Sequence, residues 1–276
     1  MEHDIDAIAD LCAPGQVVVL SGAGISTESG IPDYRGPSGA SQRRHAPMTY
    51  QDFTRDPVAR RRYWARSHVG WRIMRRAVPN TGHLAVAALE EAGVVKATIT
   101  QNVDGLHQAA GARAVIDLHG RLDRVVCLTC GATSSRSALD DRLAAANADW
   151  RATVTAVNPD GDVDLPDGQL DTFTVVDCEV CGGLLKPDVV YFGENVPPGR
   201  VEAAYAAVDT AGVLLVVGTT LTTFSGRRLV TRAERSGTPI AVVNQGATRA
   251  DHVARVRLDA PAGATLTALA GRLAPA

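Results

Sequence analysis

The sequence predicts an α/β fold, a doubly wound parallel-sheet domain of the Rossmann-like kind with a smaller domain inserted. Three observations lead there. Short apolar runs at 16–20, 94–100, 213–217 and 239–243 alternate with amphipathic segments, the pattern of strands covered on both faces by helices. Polar strings follow the ends of those runs, where an open parallel sheet binds its ligands. Between two of the runs lies a polar block bracketed by Cys127-Leu-Thr-Cys130 and Cys178-Glu-Val-Cys181.

Taken in order, residues 4–12 read as a helix and 16–20 as the first strand. From 32 to 80 the β–α rhythm breaks. A loop-like stretch gives way to an arginine-rich one at 56–78, with Tyr63, Trp64, Val69, Trp71, Ile73 and Met74 at helical intervals. Most of its arginines read as a solvated face. Residues 80–92 read as a helix, 94–100 as a strand with 101–107 as its C-terminal loop, and 114–118 as a strand ending at His119. The block from Cys127 to Cys181 is polar and irregular, and 184–191 returns to apolar character. Helices at 200–208, 227–236 and 266–273 then alternate with strands at 213–217, 239–243 and 253–258. The sheet domain is therefore 1–120 with 185–276, carrying 32–80 as a helical excursion, and 121–184 forms the small domain.

Composition narrows the function classes. With 276 residues, 45% hydrophobic and 21% charged, the chain suits one substantial core or two modest ones. A formal charge of −2 offers no general attraction for nucleic acid. The acidic N-terminal residues lack a signal pattern, and no apolar run approaches a membrane span. The expectation is a cytoplasmic protein, in which two Cys-x-x-Cys pairs point to metal before disulfide. Each pair lets a tight turn offer two thiolates, and Cys127, Cys130, Cys178 and Cys181 would hold Zn2+. Such a closed set leaves no open coordination position, so the zinc is structural. A zinc-containing binding module is the rival from another class. Asp123, Asp140, Asp141, Asp177 and Glu179 near the cysteines argue against a nucleic-acid ribbon.

The stretch Gly22-Ala-Gly-Ile-Ser-Thr-Glu-Ser-Gly-Ile-Pro-Asp-Tyr-Arg-Gly36 follows the first strand. Gly22 and Gly24 permit a sharp turn, and Ser26 and Thr27 stand at an expected helix start. Strand, turn and helix N-terminus would together form an anion site, with pyrophosphate as the ligand. The spacing is not the dehydrogenase fingerprint, because its third glycine position is Thr27. The whole string instead resembles the NAD-binding signature of the sirtuins, NAD-dependent protein-lysine deacylases of which some transfer ADP-ribose. The resemblance continues through Gln101-Asn-Val-Asp104, Leu118-His-Gly120, both cysteine pairs, the run Lys186 to Glu194, Gly218-Thr-Thr220 and Val243-Asn244. The wording PDYR, YWAR and SGRR and the long cysteine insertion are similar to class II sirtuins, the mitochondrial type and its bacterial relatives.

The resemblance implies roles for individual residues. His119 would be the base for a ribose hydroxyl, a task suited to a group titrating near neutrality. Asn102, with Gln101, would organise the nicotinamide ribose and its water, and Asp104 would bind the carboxamide with help from Ile31 and Val103. Gly22, Ala23, Gly24, Ile25 and Ser26 would approach the phosphates. Asp33, Tyr34 and Arg35 belong to the cofactor loop, with Tyr34 in place of the phenylalanine that many members have. Gly218, Thr219, Thr220, Asn244 and Ala262 complete the NAD set. Val189, Val190 and Phe192 would pair with an acyl-lysine peptide as an added strand. Tyr63 and Arg66, three apart on a helix, resemble an acid-acyl pocket, the alternative being that Arg66 is one more surface arginine. After Gly218 the string Thr223-Phe-Ser-Gly226 replaces the Pro-Ala of the acetyl-preferring branch. The implied activity is transfer of an acyl group from lysine to ADP-ribose with release of nicotinamide. The alternative within enzymes is mono-ADP-ribosyl transfer to protein. Neither nucleic acid nor membrane is an expected partner, and the oligomeric state is left open.

Overall fold

A computed structural model describes residues 2–33, 47–154, 156–157 and 162–274. The chain runs α1 (Glu2–Cys12), β1 (Val17–Ser21), α2 (Tyr50–Arg55), α3 (Pro57–Met74), α4 (Thr81–Glu91), β2 (Val95–Thr100), α5 (Leu106–Ala109), β3 (Val115–Asp117) and β4 (Gly120–Cys127). It continues with β5 (Thr133–Ser135), α6 (Arg136–Ala146), β6 (Ala156–Val157), β7 (Val163–Asp164), α7 (Asp167–Leu170) and β8 (Leu185–Val189). The last elements are α8 (Pro198–Asp209), β9 (Val213–Val217), α9 (Phe224–Arg235), β10 (Ile240–Val243), β11 (Val256–Leu258) and α10 (Ala262–Leu273).

Six strands form one parallel sheet in the order β11-β10-β9-β1-β2-β3. This is the doubly wound order predicted from the apolar runs, and its switch point lies between β1 and β9. The strands alternate their side chains between two cores. Val17, Val19, Val213, Leu215 and Val217 face α1, α4 and α10, while Val18, Leu20, Leu214 and Val216 face α8 and α9. Covering each such side chain stabilises the fold by about 1.5–3 kcal/mol, which is why these runs are apolar at every position.

A second, antiparallel sheet, β5-β4-β8, carries the cysteine segment. Its core is shared with the helical excursion: Phe53, Tyr63, Trp64 and Trp71 cluster with Val125, Cys127, Leu139, Cys178 and Tyr191. Local signals start these helices. Asp56 accepts from the N–H groups of Val58 and Ala59, with Pro57 at the first helical position of α3. Asn80 and His83 form a capping box on α4. The arginines of α3 are less solvated than their spacing suggests. Arg60 donates to the Phe53 carbonyl, and Arg62, Arg66 and Arg72 reach Asp171, Asp162 and Asp140. The cysteine block also holds more regular structure than its polarity suggests, including the 11-residue α6, whose Ser135 cap accepts from the N–H of Ala138.

Candidate active site

A cavity of about 710 Å³ opens at the C-terminal ends of β1, β2, β9 and β10, a size usual for a small-molecule site. Its floor is a cross-over between two loops. The Gly22 and Gly24 N–H groups donate to the carbonyls of Val217 and Gly218, at 3.0 and 2.8 Å. A Cβ at position 22 would stand 2.6 Å from Thr219 Cβ, and one at 24 would stand 2.8 Å from Gly218 Cα. The two glycines are thus required by close approach. The expected helix after them does not form. Two short 3-10 turns, Ala23–Ile25 and Thr27–Ser29, take its place. Gly30 adopts φ +81°, Pro32 follows, and the Ser26 hydroxyl is drawn into the cavity rather than capping a helix.

Ser26 joins the two sides of this site. Its hydroxyl donates to Asp104 Oδ2 at 2.8 Å and accepts from Asn102 Nδ2 at 3.0 Å. Asn102 also donates to the Gly22 carbonyl at 3.1 Å, and Asp104 Oδ1 accepts from the Leu106 N–H at 2.9 Å. Burial raises the Asp104 pKa above its ordinary value, against the opposing effect of the Leu106 and Ser26 bonds. Behind Ser26 stand His83 and His107, with ring centroids 5.0 Å apart. Burial lowers their pKa values to about 4 and about 3, so both are neutral at pH 7. Gln101 ties β2 to β9: its Nε2 donates to Thr219 Oγ1 at 3.1 Å, and its Oε1 accepts from Thr223 Oγ1 at 3.1 Å.

His119 leaves the end of β3 and lines the same cavity. Its Nδ1 lies 3.0 Å from the Gln101 carbonyl. A carbonyl only accepts, so Nδ1 carries the proton and Nε2 of the neutral ring is the basic nitrogen. Nε2 therefore accepts from the Ser225 hydroxyl at 2.7 Å. Burial lowers the His119 pKa, and the positive charges of Arg200 and Arg228 add to that, while the Gln101 carbonyl raises it. The Val190 N–H donates to the His119 carbonyl at 2.8 Å, which fixes the segment after β8 beside His119.

Of the residues singled out in the sequence, Gly22, Ala23, Gly24, Ser26, Ile31 and Asp33 line the cavity, as do Gln101, Asn102, Val103, Asp104 and His119. Gly218, Thr219, Thr220, Asn244, Ala262, Val190 and Phe192 line it too. Ile25 instead turns into the core, 1% exposed, and Val189 is buried in β8. Tyr34 and Arg35 lie outside the described residues. Tyr63 and Arg66 are not in the lining. Tyr63 is 4% exposed, with its ring 5.4 Å from those of Phe53 and Tyr191. Arg66 Nε is paired with Asp162 at 2.9 Å. The Nε–H of the fork expected at Arg66 therefore donates to a carboxylate of the protein. In the sequence Ser225 and Arg228 stand out only within the SGRR wording, Ser225 also in the departure from Pro-Ala, and neither receives a role there. The signal available was their three-residue spacing at the start of a helix behind the Gly218 loop.

The donor sets fit their expected occupants. The buried acid, the amide and the hydroxyl around Ser26 suit a carboxamide-bearing dinucleotide held over a glycine cross-over. The four cysteine sulfurs lie within 4.8 Å of one another, with Cys127–Cys181 and Cys130–Cys178 at 3.6 and 3.9 Å. These distances are too long for disulfides. They match the separation of about 3.8 Å that tetrahedral Zn–S bonds of about 2.3 Å impose.

The Sir2 family model matches residues 22–225. An NAD-dependent protein deacetylase 1 of Streptomyces coelicolor is 58% identical over 270 residues, covering 98% of this chain and 90% of that protein. One of Mycobacterium avium is 52% identical over 265 residues, covering 94% and 92%. Among solved structures, a Sir2–p53 peptide–NAD+ complex aligns with TM-score 0.75 at 30% identity, covering 95% of each chain. A structure described as a basis for the mechanism and regulation of Sir2 enzymes aligns with TM-score 0.76 at 31% identity, covering 99% of this chain and 98% of that one. With the family model and these relatives spanning the glycine cross-over, the His119 strand end and the cysteine segment, the chain belongs to the Sir2 family.

Proposed function

We propose that this chain removes acyl groups from protein lysines at the expense of NAD, with the residues around His119 and Ser26 as its machinery. The observation that carries the reading is a neutral His119 whose basic Nε2 faces the same cavity as the Ser26–Asn102–Asp104 set. When bound, NAD supplies the ribose carbon that gives up nicotinamide and receives the acyl oxygen. Asp104, with one lone pair free on each oxygen, accepts the carboxamide N–H groups. Asn102 and Gln101 hold the ribose and its water, positioning that replaces a costly encounter in solution. Gly22 to Ser26, Thr219, Thr220, Asn244 and Ala262 receive the phosphates and adenosine. Asp33 joins them, and Tyr34 and Arg35 would complete the cofactor loop. His119 Nε2 takes a proton from a ribose hydroxyl after that hydroxyl displaces Ser225.

The peptide is read by the free edge of β8, which is the outer strand of its sheet, with Val190 and Phe192 facing the cavity. Acetyl-lysine is the acyl form suggested by the deacetylase names of the relatives. Tyr63 and Arg66 support the wall behind Tyr191 in this reading rather than touching the acyl chain. The protein works in the cytoplasm, where NAD and acylated proteins meet, with neither nucleic acid nor membrane as a partner. No helix among the described residues is long and apolar enough to cross a membrane.

The test uses labelled NAD with acyl-lysine peptides and mass spectrometry. Label in O-acyl-ADP-ribose with loss of the acyl group supports deacylation, and label on protein supports ADP-ribosyl transfer. His119→Tyr is expected to keep the fold and lower turnover at least about 100-fold. Release of nicotinamide at the parental rate in that variant would remove His119 from the role of base.

A further inference from the structure

Arg228 is the arginine that lines the cavity among the described residues. It sits three residues after Ser225 on α9, so the two share a helix face. That face turns toward His119, where the Arg228 charge is felt. Arg228 Nε and Nη2 are both buried, and neither has a hydrogen-bond partner. The contact described for its guanidinium is the Tyr205 ring, at 5.6 Å. Arg66, Arg124 and Arg200, by contrast, are matched to Asp162, Asp188 and again Asp188. A guanidinium edge offering two dry N–H groups is costly unless something receives it. The groups that match it are planar carboxylates and phosphates.

We infer that Arg228 is a specificity residue of the cleft, its Nε–Nη2 edge binding an oxyanion of a bound substrate. Two sources present that chemistry, a phosphate of NAD and the terminal carboxylate of an acidic acyl chain on the lysine. The inference rests on the deacylase reading for its second source only.

Two measurements separate the sources. ADP-ribose is titrated by calorimetry into the parent and Arg228→Gln. The ratio of kcat/KM on glutaryl-lysine over acetyl-lysine peptide is then measured for both at saturating NAD. Loss of a charge-assisted pair predicts a change of about 10-fold or more in one readout. Weaker ADP-ribose binding identifies the phosphate, and a lower glutaryl-to-acetyl ratio with ADP-ribose binding kept identifies the carboxylate. Arg228→Lys, which keeps the charge and loses the fork, is expected to fall between.

Tyr205→Leu controls for packing, since it removes the ring under the guanidinium and leaves the fork. The inference is overturned if Arg228→Gln changes neither readout, if it lowers both peptides equally with ADP-ribose binding unchanged, or if Tyr205→Leu reproduces its effect. Parental turnover of acetyl-lysine peptide tests the deacylase reading separately. The ADP-ribose titration needs no turnover.

Discussion

His119 is fitted to its proposed role as base by two bonds of opposite sense. Nδ1–H donates to the Gln101 carbonyl, and the Ser225 hydroxyl covers Nε2. The sign of the pH dependence follows. The base works when neutral, and burial, with Arg200 and Arg228, lowers its pKa below the ordinary 6.5. Activity therefore rises with pH through an inflection below 6.5 and is level at neutrality, as kcat/KM measured from pH 4.5 to 8 would report. An inflection above 6.5 would contradict the buried, Nδ1-protonated state. His119 was legible in the sequence through the family resemblance carried by Leu118-His-Gly120 and the neighbouring strand-end loops. Ser225 was not, because its partner lies 106 residues away and only the fold brings the two together.

Elements were legible where their own residues decide them. The strands at 213–217 and 240–243 are apolar throughout, and α3 and α4 announce themselves by Asp56-Pro57 and Asn80. Starts that depend on tertiary packing were not. Helix α9 begins at Phe224 rather than 227, and α10 at Ala262 rather than 266. The first shift matters chemically, since it puts Ser225 and Arg228 on one helix.

Helix α6 was missed because its burial lies against another element. Arg136, 1% exposed, lies over the rings of Trp64 and Trp71 and near Asp140 at 3.6 Å, while Asp140 accepts from Arg72 of α3 and lies 2.6 Å from His68 Nδ1. Asp140→Ala leaves that buried guanidinium without its counter-charge. We expect a loss of about 3–5 kcal/mol, seen as a fall in Tm of roughly 10 °C. A shift within a degree would mean that the Ser67 carbonyl and the stacking on tryptophan hold Arg136 without the carboxylate.

At the scale of the molecule, the cysteines belong to the same core as the substrate wall. Cys127 and Cys178 cluster with Tyr63, Trp64 and Tyr191, and Lys186 pairs with Glu194 at 3.0 Å beside the β8 segment. Losing the metal should therefore loosen the small sheet and the peptide edge together. Purified protein is expected to contain one zinc per chain by metal analysis. Chelation or Cys178→Ala should lower Tm and abolish deacylation, because the four thiols, or the three left in the variant, lose the metal that joins them. Full stability and activity in Cys178→Ala would make the cluster dispensable.

What the sequence determined by itself is what neighbours along the chain can enforce. These are the parallel sheet, through apolar runs covered on both faces; the sharp turn after the first strand, through Gly22 and Gly24; and the two thiolate pairs, through two tight turns. Only the tertiary structure decided which charges remain available. In the sequence Arg66 is singled out by its spacing from Tyr63, whereas Arg228 is one cation of the SGRR string. The fold places Arg66 against Asp162 and leaves two buried N–H groups of Arg228 without a partner in the cavity. The reason is that a guanidinium takes its role from the acceptor it meets: Arg66 meets Asp162 from across the fold, and Arg228 meets none there.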